Sequence, residues 1–387
     1  MTIMHWHYPT EITVGENTSQ ELAEHCLSLG IRNPLIVTDS YLAETTLLNS
    51  LIKLCVQKGL TVSVFSDFSG NPTGDQVELG IKLCLKEQHD GVIAIGGGSS
   101  IDTAKAIALV ARQSHTLWDF EDVGNNWKKA NPADILPVIA LPTTAGTGSE
   151  VGRASVITDD IAKIKKIIFH PSMLPKQVVL DPLLTASLPP HLTAATGMDA
   201  LSHNMEAFCS SSYHPMAESI ALEGIRLCKL YLPITYVDGS NLQARTQMLI
   251  ASTMGATAFQ KGLGAMHAIA HTLGARYNHH HGLLNAILMP YVLCANQHYL
   301  TEKMQRLGRY LDLEQPDFMG VLNWVIQLRQ ALNIPHTLAD IGLNNTDIKL
   351  IGTMSLQDAA AAGNPIHLSA VQYEEIFQHA INGTLDL

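Results

Sequence analysis

The chain has 387 residues, 46% of them hydrophobic and 15% charged, which describes a folded protein with a large core and not a disordered one. The formal net charge is −11 with no block of like charges, which argues against nucleic acid or an anionic membrane as partner and leaves room for a small anion in a local pocket. At this length two domains are expected.

The first fifteen residues, MTIMHWHYPTEITVG, show no basic region followed by an apolar run, so no leader is expected. No apolar run reaches the ~18 residues of a membrane span. Cys26, Cys55, Cys84, Cys209, Cys228 and Cys294 never form a CxxC pair and read as buried thiols of a reducing compartment, hence the cytoplasm. Short apolar or β-branched runs at Leu35–Thr38, Thr61–Phe65, Val92–Ile95, Leu136–Leu141 and Val178–Leu180 predict strands. Helical patterns such as Leu42–Lys58 and Asp75–Gln88 lie between the early ones. Cys26, Cys55 and Cys84 sit 29 positions apart, each near the end of a helix, and mark the period of a helix–strand unit. Such alternation predicts a mostly parallel sheet covered on both faces.

From about Pro182 the strand runs stop. Helices are predicted at Pro215–Leu230, Leu242–Ala258, Leu283–Asn296, Phe318–Leu332 and Ser369–Ile381. The expected architecture is an α/β domain over 1–182 and an all-α domain over 183–387. No low-complexity linker separates them, so direct packing with a cleft between them is expected.

Three stretches of the α/β half carry candidate ligand contacts. Val92–Ala111 reads as a strand, then Gly96, Gly97, Gly98, Ser99 and Ser100, then a helix. Successive glycines turn backbone N–H groups toward an anion, and a helix N-terminus adds partial positive charge. The sequence is neither GxGxxG nor GxxxxGK[ST], and a tight structural turn is the competing reading. Asp102 in the same helix also suits a charge facing the helix dipole. PTTAGTGSE, residues 142–150, follows another strand and offers the hydroxyls of Thr143, Thr144, Thr147 and Ser149, which suit a pyrophosphate or a nicotinamide amide. Asp39 closes the strand run LIVTD. A carboxylate there can accept two ribose hydroxyls and repel a 2′-phosphate, so a dinucleotide would be NAD and not NADP. A helix N-cap is the alternative.

The helical half carries the ionisable clusters. In GMDALSHNMEAF, residues 197–208, Asp199 and His203 are four apart on a helix, with Glu206 further along the same face. In GLGAMHAIAHTLGARYNHHHGLLNAILMP, residues 262–290, His267 and His271 repeat that spacing, and His279, His280 and His281 follow. A carboxylate and imidazoles without cysteine suit Fe, Zn, Mn or Co. A structural Asp–His hydrogen bond on each helix is the alternative, and the HExxH zinc signature is absent.

Taken together these residues resemble the iron-containing (group III) alcohol dehydrogenases nearly end to end. The resemblance is carried by Pro9–Gly15, by NPT at 71–73, by GGGSSIDTAK at 96–105 and by PTTAGTGSE. It continues through DPLLTASLPPHLTAATGMDALSHNMEAF at 181–208, HAIAHTLGARYNHHHGLLNAILMP at 267–290 and the Ile334–Gly342 segment. It implies one divalent metal, typically Fe²⁺ with Zn²⁺ also suited, held by Asp199, His203, His267 and His281, which leaves His279 and His280 without a role. It further implies that Gly96–Ser99 and Asp102 bind the pyrophosphate and that Thr143, Thr144, Thr147 and Ser149 line the cofactor. Asn71 and Lys165 would lie near the nucleotide, and Asp39 would set the NAD preference. His271 would stand near the nicotinamide as a proton relay, and Phe259 would line the substrate pocket. The implied activity is hydride transfer between an alcohol or aldehyde and NAD(H), in a homodimer or higher assembly.

Two departures stand out. After Glu150 many relatives read Val-Thr, whereas here Val151 is followed by Gly152, Arg153 and Ala154. A guanidinium near the pocket would select a carboxylate, sulfonate or phosphate on the substrate, and a plain salt bridge is the alternative. Ile366 after Asn364-Pro365 replaces a common arginine. Competing functions are an NAD- and metal-using lyase of the dehydroquinate-synthase type, a metal-dependent hydrolase, and a non-catalytic binding protein.

Overall fold

The computed structural model of the protein describes residues 6–68 and 70–385; the first five residues of the stretch read for a leader lie outside them. Two compact units are present. Among the described residues, one comprises Tyr8–Thr144 and Gly148–Ser187, and the other the chain from Leu188 onward with Ala145–Thr147 and residues 6–7.

The first unit contains, in chain order, β1 (Glu11–Val14), α1 (Leu22–Ser28), β2 (Pro34–Val37), α2 (Ser40–Ala43), α3 (Thr46–Gln57), β3 (Ser63–Phe65), α4 (Gly74–Lys86), β4 (Gly91–Gly96), α5 (Gly98–Val110), β5 (Val138–Pro142), β6 (Ala154–Asp159), β7 (Ile164–Phe169) and β8 (Gln177–Leu180). Six strands form one parallel sheet in the order β1-β8-β5-β4-β2-β3. The inner strands are buried on both faces, which is why they read as unbroken apolar runs. Alternate residues part the core in two. Leu35, Val37, Val92, Ala94, Val138 and Ala140 face one cluster with α4 and α5, including Cys84. Ile36, Ile93, Ile95, Ile139 and Leu141 face the other with α1 and α3, including Cys26 and Cys55. The regular cysteine spacing thus marks helices on both sides of the sheet.

Two elements were not anticipated. β1 is a four-residue, half-exposed edge strand, too short to show periodicity. The β6–β7 pair is an antiparallel hairpin with Ala154 opposite Phe169 and Asp159 opposite Ile164. Its first strand, ASVITD, does not alternate apolar and polar residues, and Lys-rich IKKIIF masks the second.

The second unit is helical: α6 (Pro190–Cys209), α7 (Pro215–Val237), α8 (Leu242–Ala258), α9 (Ala265–Tyr277), α10 (His281–Ala295), α11 (Gln297–Tyr310), α12 (Phe318–Ala331), α13 (Ile348–Gln357) and α14 (Ala370–Asn382). From Thr193 to Cys209 every residue of α6 except Thr196 is buried, so α6 is the central helix, with α7, α8 and α10 packed on it. α7 continues past the expected end at Leu230 through Pro233 to Val237. Packing overrides the proline here: Leu232 is fully buried, lying directly against Gly197 of α6. No helix among the described residues is long and apolar enough to cross a membrane.

Candidate metal centre and nucleotide site

In the α/β unit the chain after β2 leads to β3 on one side of the sheet, while β4 lies on the other, so the strand order reverses between β2 and β4. That is where open parallel sheets bind ligands, beyond the strand ends. Asp39 follows β2, Gly96 ends β4 with Gly97–Ser99 after it, and Thr143–Thr144 follows the next strand, β5. A Cβ placed on Gly96 would lie 3.7 Å from Asp39 Oδ2, and one on Gly97 would lie 3.3 Å from Thr144 Oγ1. Gly97 is the N-cap of α5 and offers no side chain to the first-turn amides, which leaves their N–H groups for an anion. Asp39 is also the N-cap of α2, accepting from Leu42 N–H through Oδ1 at 2.9 Å. Both readings of this residue can hold together, one oxygen for each.

Other residues in the same unit brace this edge. The Ser99 hydroxyl donates to the carbonyl of Gly70, tying α5 to the loop that carries Asn71. That loop reaches β6, where Thr158 N–H donates to Pro72 O at 2.9 Å, and Lys165 is the cross-strand partner of Thr158. Asp102 accepts from the Ser149 hydroxyl and from Val156 N–H at 2.9 Å, with Lys105 Nζ at 3.1 Å. Fully buried Lys105 in turn donates to the carbonyls of Ser149, at 2.9 Å, and Ala154. Burial pulls the Lys105 pKa down, while Asp102 and Glu150 support its charge. Asp102 and Lys105 therefore clamp residues 149–156 onto α5, and the Ser149 hydroxyl is engaged in that clamp. Thr147 belongs to the helical unit. Arg153 lies at the head of the hairpin, its guanidinium 5.6 Å from the Phe169 ring centroid. Burial lowers its pKa, and nearby Asp122 opposes that.

In the helical unit, Asp199, His203, His267 and His281 converge from α6, α9 and α10, and one ligand atom from each lies within 4.8 Å of all the others. Gly282 makes this convergence possible, because a Cβ there would come within 2.3 Å of Ala195 O and 3.0 Å of Asp199 Cβ. Asp199, His203 and His267 are buried, and His281 is the half-exposed member. Burial drives the His203 pKa down to about 4, so its ring is neutral and keeps a lone pair for an ion. The nitrogen of His267 remote from the cluster, Nδ1, bonds to Glu206 at 2.7 Å, which directs Nε2 inward. Burial opposes charge on His267, but Glu206 and Asp199 raise its pKa. One carboxylate and three imidazoles, each neutral once it ligates, fit a divalent ion of borderline hardness.

Around this cluster, Phe259 packs on His203 with centroids 5.3 Å apart. His271 stacks on His281 at 5.2 Å and is held through Nδ1 by both Asp358 oxygens at 3.1 Å. His280 is the N-cap of α10, bonded to Leu283 N–H, and His279 and His280 are outside the ligand cluster. Three residues at the centre went unassigned in the sequence. Asn285 donates through Nδ2 to Asp199 Oδ1 at 2.8 Å, with Nε2 of His281 at 3.1 Å and of His267 at 3.2 Å. Its position four residues after His281 is a signal that points to it. Glu206 was on the correct face without a role. Asp358, 87 positions from His271, has no local signal.

Residues 9–182 match the family model described as iron-containing alcohol dehydrogenase, and residues 193–381 match the Fe-containing alcohol dehydrogenase family, C-terminal model. A 4-hydroxybutyrate dehydrogenase of Cupriavidus necator is 36% identical over 386 residues, 97% of this chain and 99% of the relative. The solved structure of a 1,3-propanediol oxidoreductase superposes with a TM-score of 0.93 at 32% identity, covering 98% of this chain and 100% of that one. A sulfoacetaldehyde reductase from Bifidobacterium kashiwanohense in complex with NAD⁺ gives 0.88 at 29% identity, covering 97% and 99%.

Proposed function

The chain belongs to the iron-containing alcohol dehydrogenase family, and on that premise we propose that it moves a hydride reversibly between an alcohol or aldehyde and NAD(H), with Fe²⁺ as its metal and Zn²⁺ as an alternative. The observation that carries the reading is the convergence of Asp199, His203, His267 and His281 within 4.8 Å. A divalent ion held by them supplies Lewis acidity toward a substrate hydroxyl or carbonyl oxygen, and NAD supplies the hydride acceptor.

The remaining roles fall to the chain's own groups. Phe259 offers an apolar wall beside His203. His271, bonded to Asp358 through Nδ1, has Nε2 left to take or return the hydroxyl proton. The α5 N-terminus and the glycine turn hold the pyrophosphate, Asp39 accepts the adenosine ribose hydroxyls, and Thr143, Thr144 and Thr147 line the nicotinamide end. Asn71 and Lys165 border the nucleotide through the loop that meets β6. Ser149 and Asp102 serve through the clamp that shapes the loop. We assign the protein to a reducing, cytoplasmic compartment and to a homodimer or larger homo-oligomer. The first is supported by six buried cysteines, none in a disulfide; the second rests on the family likeness.

The test is NADH oxidation by metal-stripped protein reloaded anaerobically with Fe²⁺ or Zn²⁺, over neutral and anionic aldehydes. Turnover is expected only after reloading. Product formed with no net change in NADH would replace this reading with the lyase one, for which nothing in the site speaks. Arg153 is the proposed reader of an anionic substrate, supported by its half-buried guanidinium and by relatives named for 4-hydroxybutyrate and sulfoacetaldehyde. Arg153→Ala is expected to lower kcat/KM for anionic aldehydes about tenfold relative to neutral ones, the loss of one charge-assisted contact. Equal losses on both classes would instead assign Arg153 to a structural role beside Phe169 and Asp122.

A further inference from the structure

Glu206 is a buried carboxylate that lies outside the ligand set. It accepts three hydrogen bonds, all from one short stretch of chain. Gly264 N–H donates to Oε2 at 2.7 Å, Met266 N–H to Oε1 at 2.8 Å, and His267 Nδ1 lies 2.7 Å from Oε2. Gly264, the N-cap of α9, has no side chain to do this, so a residue from α6, about 60 positions earlier, caps α9. The second cap is Asn364, whose Oδ1 accepts from Ala265 N–H at 3.2 Å.

We propose that Glu206 is a positioning residue of the metal centre: it fixes His267 as the tautomer that offers Nε2 to the ion, and joins that orientation to the first turn of α9. The inference rests on the metal reading above. Two physical arguments support it. A carboxylate accepting from the remote nitrogen of a ligating imidazole makes the near nitrogen a stronger donor and holds the ring in plane. Charge points the same way. A divalent ion with Asp199 and three neutral imidazoles leaves one positive charge in a buried site, and Glu206 balances it through His267. A purely structural cap would need neither the imidazole contact nor a full charge.

Glutamine in this place keeps the size and one acceptor oxygen. Its amide NH₂ must then face Gly264 N–H and His267 Nδ1 or Met266 N–H, each of which is served here by a carboxylate oxygen. The experiment uses full-length protein, stripped of metal, and measures Zn²⁺ affinity by competition with a chromogenic chelator. It also records the visible spectrum of the Co²⁺-loaded form and the thermal midpoint of the metal-free form. Glu206→Gln is expected to weaken Zn²⁺ binding about 10- to 100-fold and to shift the Co²⁺ bands. Glu206→Asp keeps the charge but withdraws it from His267, and is expected to weaken binding in the same range. A lowered metal-free midpoint with unchanged Zn²⁺ affinity and Co²⁺ spectrum, in either variant that folds, overturns the proposal and leaves Glu206 as a helix cap. Wild-type protein that binds neither ion overturns the metal reading itself, so the two failures are told apart.

Discussion

Replacing Asp199 with alanine is expected to leave a folded protein that holds no ion and turns over alcohol at least about a thousandfold more slowly, roughly 4 kcal/mol of transition-state stabilisation. The size of the effect follows from the make-up of the centre. Asp199 is the only carboxylate among the four proposed ligands, so its loss leaves three imidazoles facing a divalent charge. The folding cost is smaller. Asn285 Nδ2 loses its bond to Asp199 Oδ1 but still has His281 and His267 nitrogens within 3.2 Å. One weakened buried hydrogen bond costs about 1–3 kcal/mol, and no charge is left without a partner. Metal content by elemental analysis and NADH-linked turnover, read on the same preparation, check the expectation. His279→Ala, in the same histidine-rich run but outside the cluster, serves as the control and is expected to behave as wild type. Full turnover by metal-free Asp199→Ala would remove the ion from the mechanism.

The contrast between Asp199 and Glu206 shows what a sequence can and cannot disclose about such a centre. Both sit on α6 at helical spacing, and both looked eligible as ligands. What separates them is the partner each meets across the fold. Asp199 meets His281 and Asn285 of α10, while Glu206 meets the amides that open α9. Local spacing carries the helix face, and the tertiary crossing decides the role. Asp358 shows the same limit more severely, since nothing near it in the chain hints that it steadies His271. The sheet was more legible. Fully buried parallel strands leave long β-branched runs, so β2, β4, β5 and β8 announced themselves. β1 and the β6–β7 hairpin did not, because a half-exposed strand borrows its order from a neighbour. The Asp102–Lys105 clamp lies between these cases. Its residues were visible inside GGGSSIDTAK, but their acceptors and donors come from residues 149–156, and no spacing rule links the two stretches.

Gly96→Ala is expected to weaken NAD binding by about 100-fold or more and to destabilise the fold by about 2–6 kcal/mol, the sum of a strained backbone and an overpacked contact. Two independent obstacles meet at this residue. Its φ is +149°, a conformation that side chains rarely allow. A Cβ would also come within 2.2 Å of Ser100 Oγ and 2.7 Å of Ser100 Cβ. Rotating the Ser100 hydroxyl relieves the first of these distances and not the second, so relief requires moving the backbone at the start of α5. That movement displaces the first-turn amides proposed to hold the pyrophosphate and draws Gly97 away from Thr144. The pair of obstacles can be separated. Gly96→Ala/Ser100→Gly removes the clash and keeps the strain, so it should recover part of the stability and part of the NAD affinity. Equilibrium NAD binding by fluorescence and thermal unfolding of the wild type and the two variants give both quantities. Zn²⁺ affinity in the same proteins should be unchanged, because the proposed ligands lie in the helical unit and Gly96 in the other. Wild-type NAD affinity in Gly96→Ala would take the pyrophosphate away from this turn and leave it as a tight structural connection between β4 and α5.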